Sequence, residues 1–231
     1  TLKDVDSFFL PRGVVMGRDL NTVHPVDLYA DGEIEEYVAH SWYEYSEGKN
    51  RGLHPHKGET TLAYTGPKPP YQYLDVDKSY SWIKSPRWKG KPMEVGPLAR
   101  LAVLYASGHA PTRETVDRTL KQLDLPMTAL YSTMGRTAAR ALESRLMVDQ
   151  MQGWFDQLMA NIRAGDVRTH DQSKWDPSTW PREAKGAGFM EAPRGGLCHF
   201  VVIRDGRIAN YQAVVPTTWN GSPRDVKNQI G

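Results

Sequence analysis

The sequence predicts an α+β fold, mainly a helical bundle with one very long helix, together with a β-hairpin and long ordered loops. Three observations predict it. Apolar residues recur at helical spacing from about residue 128 to 164. Apolar runs at about 199–215 flank an Asp-Gly dipeptide, which is typical of hairpin turns. Residues 46–96 are rich in Gly, Pro, Tyr and Trp without a sustained period, which favours a long ordered loop.

The first part of the chain contains short elements. Residues 1–28 mix brief apolar runs with Gly and Pro, which predicts short strands and loops. A helix is predicted at about 33–45, because Asp31 stands in an N-cap position and acidic residues occupy the first turn, where the helix dipole favours them.

The middle of the chain is predicted to be helical. A helix begins at Pro97 and ends at Gly108, and a second one spans 112–123 with Thr112 as its cap. The third helix, at about 128–164, would be roughly 50 Å long at about 1.5 Å per residue. Its apolar stripe is interpreted as a core-facing surface. A stripe of this length needs a neighbour along the whole helix, which predicts a bundle larger than the chain itself.

Composition limits the function classes. With 231 residues, 39% hydrophobic and 24% charged, the chain is long enough to bury a core, and we treat it as one unit. No apolar run approaches the roughly 18 residues of a membrane span. The net charge of +2 comes from interspersed acidic and basic residues, so no nucleic-acid partner is expected.

Catalytic signatures are few. The single cysteine, Cys198, excludes an internal disulfide and any multi-cysteine metal site built from this chain alone. The loop residues His54 and His56 are interpreted as hydrogen-bonded histidines, with a metal-binding pair as the less frequent alternative.

The chain starts at Thr1 without a leader pattern and stops at Gly231, so both ends are interpreted as cuts through a longer polypeptide.

The two ends of the predicted hairpin concentrate hydrogen-bond donors. The motif EAPRG (191–195) precedes the first strand and VVPTTWN (214–220) ends the second. These ends are neighbours in an antiparallel hairpin, so a guanidinium, two hydroxyls and freed backbone amides should meet there. Such a cluster suits small anionic ligands. The alternative is a strand end stiffened by prolines that carries a surface arginine.

Three long stretches of the chain resemble the large, catalytic subunit of nickel–iron hydrogenases. The resemblance extends over nearly the whole chain, which it identifies as a partial large-subunit domain, 1–231, from the interior or C-terminal half of that subunit. The stretches are HSWYEYSEGKNRGLHPHKGET (40–60), SYSWIKSPRWKGKPMEVGPLARL (79–101) and EAPRGGLCHFVVIRDGRIANYQAVVPTTWN (191–220).

The resemblance implies an oxidoreductase that splits H2 heterolytically and reversibly at a Ni-Fe(CN)2CO centre. The metal-ligating Cys-x-x-Cys motifs of that family are absent from this sequence, so no direct nickel or iron ligand is expected here, and the chain alone is expected to be inactive. The implied partner is an iron–sulfur small subunit, with the membrane reached only through partner subunits. The resemblance leaves two locations of the protein open, the periplasmic face of the membrane and the cytoplasm. The alternative is a non-catalytic, hydrogenase-like scaffold subunit of a quinone-linked respiratory complex.

The resemblance also implies roles for single residues. Arg194 would be the catalytic arginine, placed over the open coordination position and acting through charge and hydrogen bonds. Thr217 would donate a hydrogen bond to an iron-bound cyanide. A magnesium or iron ion would take the backbone carbonyl of Ala213, with Gln212 and Lys84 in its water-mediated surroundings. The remaining residues that would complete the pocket for the cofactor are Ala192, Pro193, Val215 and Pro216.

Overall fold

The computed structural model describes residues 10, 12–68 and 73–231, and the predictions for 1–9, 11 and 69–72 lie outside these ranges. It has the predicted mixture of a long helix, small sheets and loops. The chain divides into two compact units, each described by itself below. One comprises the chain up to His24 together with Pro97–Pro181, and the other comprises Pro25–Gly96 with Arg182–Gly231.

The first unit is helical, as predicted. Helix α1 spans Pro97–Ala106, α2 spans Ala110–Gln122 and α3 spans Thr133–Arg163. Helix α2 begins two residues before the predicted start, and Thr112 does not cap it but bonds through its hydroxyl to His109 Nδ1 at 2.8 Å. Buried apolar side chains of these helices and of the turn before α3 form one cluster: Leu98, Leu101, Val116, Leu120, Leu130, Ala139 and Leu146.

Helix α3 begins later than predicted because Ser132 caps it. The Ser132 hydroxyl accepts a hydrogen bond from the Gly135 backbone N–H at 3.0 Å, and the residues before it, Met127–Tyr131, form a separate 3₁₀ turn. The first half of α3 faces the core, and Glu143 there forms an ion pair with Arg100 of α1.

The apolar stripe of α3 is core-facing only in its first half. In the second half, Met151, Phe155, Leu158 and Ile162 are between 45% and 60% exposed. The described residues therefore leave this face of the helix uncovered. Among the same residues, no helix combines the length and apolar character that crossing a membrane requires.

The second unit begins with two small sheets, where the prediction of a helix at 33–45 is wrong. Strand β1, Ile34–Tyr37, pairs antiparallel with β4, Ser85–Trp88, and β2, Tyr43–Glu44, pairs with β3, Thr61–Leu62. The acidic residues favoured a helix locally, but pairing with β4 determines the conformation, which is a common outcome for weak helical patterns. Asp31, predicted as the cap, instead forms an ion pair with Lys57 at 2.6 Å.

The predicted hairpin is confirmed and gains a third strand. Strand β5 spans Ala184–Ala192, β6 spans Gly195–Arg204 and β7 spans Arg207–Val214, in the order β5-β6-β7. The short helix α4, Pro216–Asn220, follows β7 and packs against β6. Strand β6 therefore starts four residues earlier than predicted, and the EAPRG motif lies within a β-turn-β unit.

A buried ion pair orders the segment after α4. Arg87 of β4 donates from Nε to Asp225 Oδ2 at 2.6 Å, from Nη1 to Ser222 Oγ at 3.1 Å and from Nη2 to the Gln229 carbonyl at 2.6 Å. The Asp225 Oδ1 atom accepts from the backbone N–H of Lys227 at 2.8 Å and of Gln229 at 3.1 Å. The loop at 222–229 is therefore built around one guanidinium.

Candidate functional site

Arg194 lies in the two-residue turn between β5 and β6, which the Ala192–Gly195 pair closes. Pro193 holds the first turn position at negative φ, and the backbone enters the positive region only at Gly195, at 137°. The Arg194 side chain is exposed and has no hydrogen bond or ion pair with any described residue. The tight turn fixes the backbone of Arg194, and its guanidinium, which has no carboxylate partner among the described residues, is available to a ligand from outside them.

Thr217 lies in the first turn of α4, where Val215 is the N-cap and Pro216 the first helical residue. It is exposed, and within the described part of the chain its hydroxyl makes no hydrogen bond. The neighbouring hydroxyl is used internally, because Thr218 is buried and donates to the Val215 carbonyl at 2.5 Å. Only one of the two hydroxyls expected in this cluster is therefore available.

The Arg194 turn and α4 lie at the same end of the β5-β6-β7 sheet. The last β6–β7 pair toward this end joins Cys198 to Val214. Gly195 lies three residues before Cys198, and Thr217 lies three residues after Val214. The register thus brings the Arg194 and Thr217 motifs to the same end of the sheet.

Lys84 and Gln212 form the centre of a second, buried group. The Lys84 ammonium donates to the carboxylate of Glu36 and to Gln212 Oε1 at 2.8 Å. The Gln212 side chain donates in turn to Asn210 Oδ1 at 2.7 Å. Lys84 and Gln212, two of the three residues with an expected role at a metal ion, therefore lie together with Glu36, and the third, Ala213, follows Gln212 on β7.

Glu36 is a functional candidate that the sequence reasoning missed. It is fully buried, and among the described residues its Oε1 atom has no hydrogen-bond partner. An unsatisfied buried polar atom costs about 1–3 kcal/mol, and more for a charged group. A metal-bound water would satisfy it, since such a water is a strong donor. The sequence places Glu36 two residues after Ile34, so the two side chains share the buried face of a strand. This signal exists only if residues 34–37 are assigned to a strand.

The loop histidines are held by hydrogen bonds. The ring of His54 accepts from the His56 backbone N–H at Nδ1, at 3.2 Å, and donates from Nε2 to the Leu28 carbonyl at 3.1 Å. His56 Nε2 donates to the Gly186 carbonyl at 2.9 Å. Burial lowers the pKa of His54, so its ring stays neutral. The described residues contain no cluster of three or more His, Cys, Asp or Glu side chains that could hold a metal.

Cys198 and His199 are adjacent on β6 and point to opposite faces. Burial raises the pKa of the Cys198 thiol to about 12, so it is protonated, whereas only a thiolate ligates a metal. His199 Nδ1 lies 2.5 Å from the Tyr211 hydroxyl on the half-exposed face of the sheet. One of its two ring nitrogens therefore has a partner within the sheet.

Comparisons with known proteins agree with the resemblance. A family model described as nickel-dependent hydrogenase matches residues 1–231. The chain is 52% identical over 231 residues to the uptake hydrogenase large subunit of Bradyrhizobium diazoefficiens, covering 97% of this chain and 39% of the relative. It is 47% identical over 230 residues to the hydrogenase-1 large chain of Escherichia coli K12, covering 97% and 38%.

Solved structures match the fold. A [NiFeSe]-hydrogenase from Dm. baculatum, solved in an H2-activated form, has a TM-score of 0.72 at 33% identity and covers 97% of this chain and 41% of that one. The chain therefore spans about two-fifths of the length of these relatives. Because the family model matches every residue and the curated relatives are large subunits, the chain belongs to the nickel-dependent hydrogenase family as part of its large subunit.

Proposed function

We propose that this chain is part of the catalytic subunit of a hydrogen:acceptor oxidoreductase and forms the surroundings of a Ni-Fe(CN)2CO centre. The centre would supply reversible heterolytic cleavage of H2, with its thiolate ligands provided from outside this chain. The observation that carries the proposal is the pair of exposed donors, Arg194 and Thr217, at one edge of the sheet without partners in the described chain.

Arg194 would act as a fixed positive charge. An arginine with a pKa above about 12 keeps its proton, so we assign it electrostatic and hydrogen-bonding work and not that of a base. Its position on a closed turn limits reorganisation during the reaction. Removing one such preorganised donor from a dry site typically costs about 10²- to 10³-fold in rate.

Thr217 would donate a hydrogen bond from its hydroxyl to a cyanide on the iron. The cyanide nitrogen is an anionic acceptor, and a free hydroxyl in a short helix turn fits it. The apolar residues beside the two donors, Ala192, Pro193, Val215 and Pro216, would exclude water from the same edge.

Glu36, Lys84 and Gln212 would surround a hydrated magnesium or iron ion, with the Ala213 carbonyl as its ligand. The donor set fits, because carbonyl and carboxylate oxygens suit hard cations that keep several waters. Glu36 Oε1 would accept from one of those waters, which gives the unsatisfied atom a partner.

We further propose an iron–sulfur small subunit as the partner that exchanges electrons with this site. The relatives named above are hydrogenase large subunits, and none of them supports the alternative of a non-catalytic, quinone-linked scaffold.

The test is Arg194→Lys in the full-length subunit assembled with its partner. Lysine keeps the charge but loses the planar fork of donors. We expect intact metal content and cyanide infrared bands with turnover lower by about 10²- to 10³-fold. Arg207→Lys, at the first residue of β7 and at the other end of the same sheet, is the matched control. Near-normal turnover of Arg194→Lys with the metals in place would contradict the assigned role.

A further inference from the structure

Asn220, the last residue of α4, binds the backbone of a distant segment at two points. Its Oδ1 atom accepts from the Val95 N–H at 2.9 Å, and its Nδ2 atom donates to the Val95 carbonyl at 2.8 Å. A side-chain amide that bonds both the N–H and the carbonyl of one residue imitates a neighbouring β-strand. The two bonds therefore fix both the position and the orientation of Val95 relative to α4.

Val95 and Gly96 in turn pack against the Arg194 turn. A Cβ atom on Gly195 would lie 2.5 Å from Val95 Cγ2 and 2.7 Å from Gly96 N. A Cβ atom on Gly96 would lie 3.0 Å from the Arg194 carbonyl oxygen. Both glycines also have positive φ, at 137° for Gly195 and 128° for Gly96. Glycine is required at both positions, and the two backbones touch directly.

We propose that Asn220 is a positioning residue that sets the spacing between the Thr217 hydroxyl and the Arg194 guanidinium. It links α4 to Val95, and Val95 with Gly96 links to the Arg194 turn. The β6–β7 pairs cannot do this, because they end at Cys198 and Val214, short of both donors. The Asn220–Val95 contact lies beyond the last β6–β7 pair and joins α4 to the segment that packs against the Arg194 turn. This inference rests on the proposed function, since it concerns the geometry of that site.

The experiment uses the full-length subunit with its partner and two variants. Asn220→Ala removes both bonds to Val95, whereas Asn220→Asp keeps an acceptor for the Val95 N–H and loses the donor. We measure metal content, the cyanide infrared bands, turnover, and hydrogen exchange of peptides that contain Val95 or residues 193–196. Asn50→Ala, at an exposed asparagine of the same unit, is the matched control.

We expect Asn220→Ala to keep its metals, to shift and broaden the cyanide bands, and to speed exchange in both peptides. A misplacement of about 1 Å can cost about 10²-fold in rate, so turnover should fall by about 10- to 10²-fold. Asn220→Asp should lie between Asn220→Ala and the unmodified enzyme in every measurement.

Two results would overturn the positioning role. One is unchanged cyanide bands and turnover in Asn220→Ala, and the other is faster exchange at Val95 without any change at 193–196. If Asn220→Ala does not assemble, Asn220→Asp carries the same comparison. Failure of the proposed function is distinguishable, because the unmodified enzyme would then have no cyanide bands while the exchange experiment still tests the Asn220 contact.

Discussion

Replacing Arg87 with methionine tests whether one buried ion pair orders the segment that follows α4. The Arg87 side chain is 0% exposed and that of Asp225 2% exposed. Methionine fills similar space without charge or donors. The variant would leave the Asp225 carboxylate, the Ser222 hydroxyl and the Gln229 carbonyl without their guanidinium partner.

The expected loss of stability follows from these contacts. Removing one partner of a buried ion pair costs about 3–5 kcal/mol. Asp225 keeps the hydrogen bonds from the Lys227 and Gln229 amides, which reduces the desolvation cost, so we expect about 3 kcal/mol, at the lower end of that range. At about 1.4 kcal/mol per factor of ten, the opening equilibrium of this loop rises by about 10²-fold.

Hydrogen exchange of the full-length subunit measures this directly at the Lys227 and Gln229 amides. The double variant Arg87→Met/Asp225→Asn removes the unpaired charge but keeps an acceptor, and it should recover part of the lost protection. Arg207→Met, at an exposed arginine of the same unit, should leave the loop unchanged. Unchanged protection in Arg87→Met, or a double variant with no more protection than Arg87→Met, would refute the reasoning.

Two further predictions concern buried ionisable groups. His54 is neutral when folded and its pKa is lowered by burial, so the unfolded chain binds one more proton below about pH 6.5. The stabilising effect of His54 should be full above that pH and decrease as the pH falls toward the lowered folded-state pKa, with a slope of at most about 1.4 kcal/mol per pH unit. The free energy of unfolding, measured by denaturant between pH 7.5 and 5.5, should depend less steeply on pH in His54→Asn than in the unmodified protein. An equal dependence on pH would contradict this. Glu36→Gln should weaken retention of the magnesium or iron ion by about 10- to 100-fold. Elemental analysis measures that loss against Glu44→Gln, at an exposed position of β2, and equal metal content in both variants would exclude the role.

Local patterns predicted the elements whose stability is local. The Asp-Gly turn gave the β6–β7 hairpin, and the proline at position 97 with its apolar spacing gave α1. Strand β1 was missed because its glutamates favour a helix and its partner β4 lies about fifty residues away. Strand β5 was missed because Gly186 and Gly188 weaken its strand pattern, and the adjacent β6 supplies the pairing.

The residues of the candidate site show the same difference between local and long-range signals. The hairpin register alone predicted that the Arg194 and Thr217 motifs reach one edge. The grouping of Lys84 with Gln212 followed only from the family resemblance, because these residues are 128 positions apart. Neither argument reached Glu36 or Asn220, because their roles depend on contacts between segments distant in sequence.

The uncovered second half of α3 determines when this region can become stable. Its side-chain pairs, such as Arg145 with Asp149 and Gln157 with Asn161, each contribute only about 0.2–0.5 kcal/mol. A bare helical segment of about fifteen residues is marginal in water. We therefore expect this half to exchange between helix and coil as long as no other segment covers it. We thus expect the end of α3 to become stable late in folding, whereas the loop around Arg87 has its stabilising contacts within its own unit.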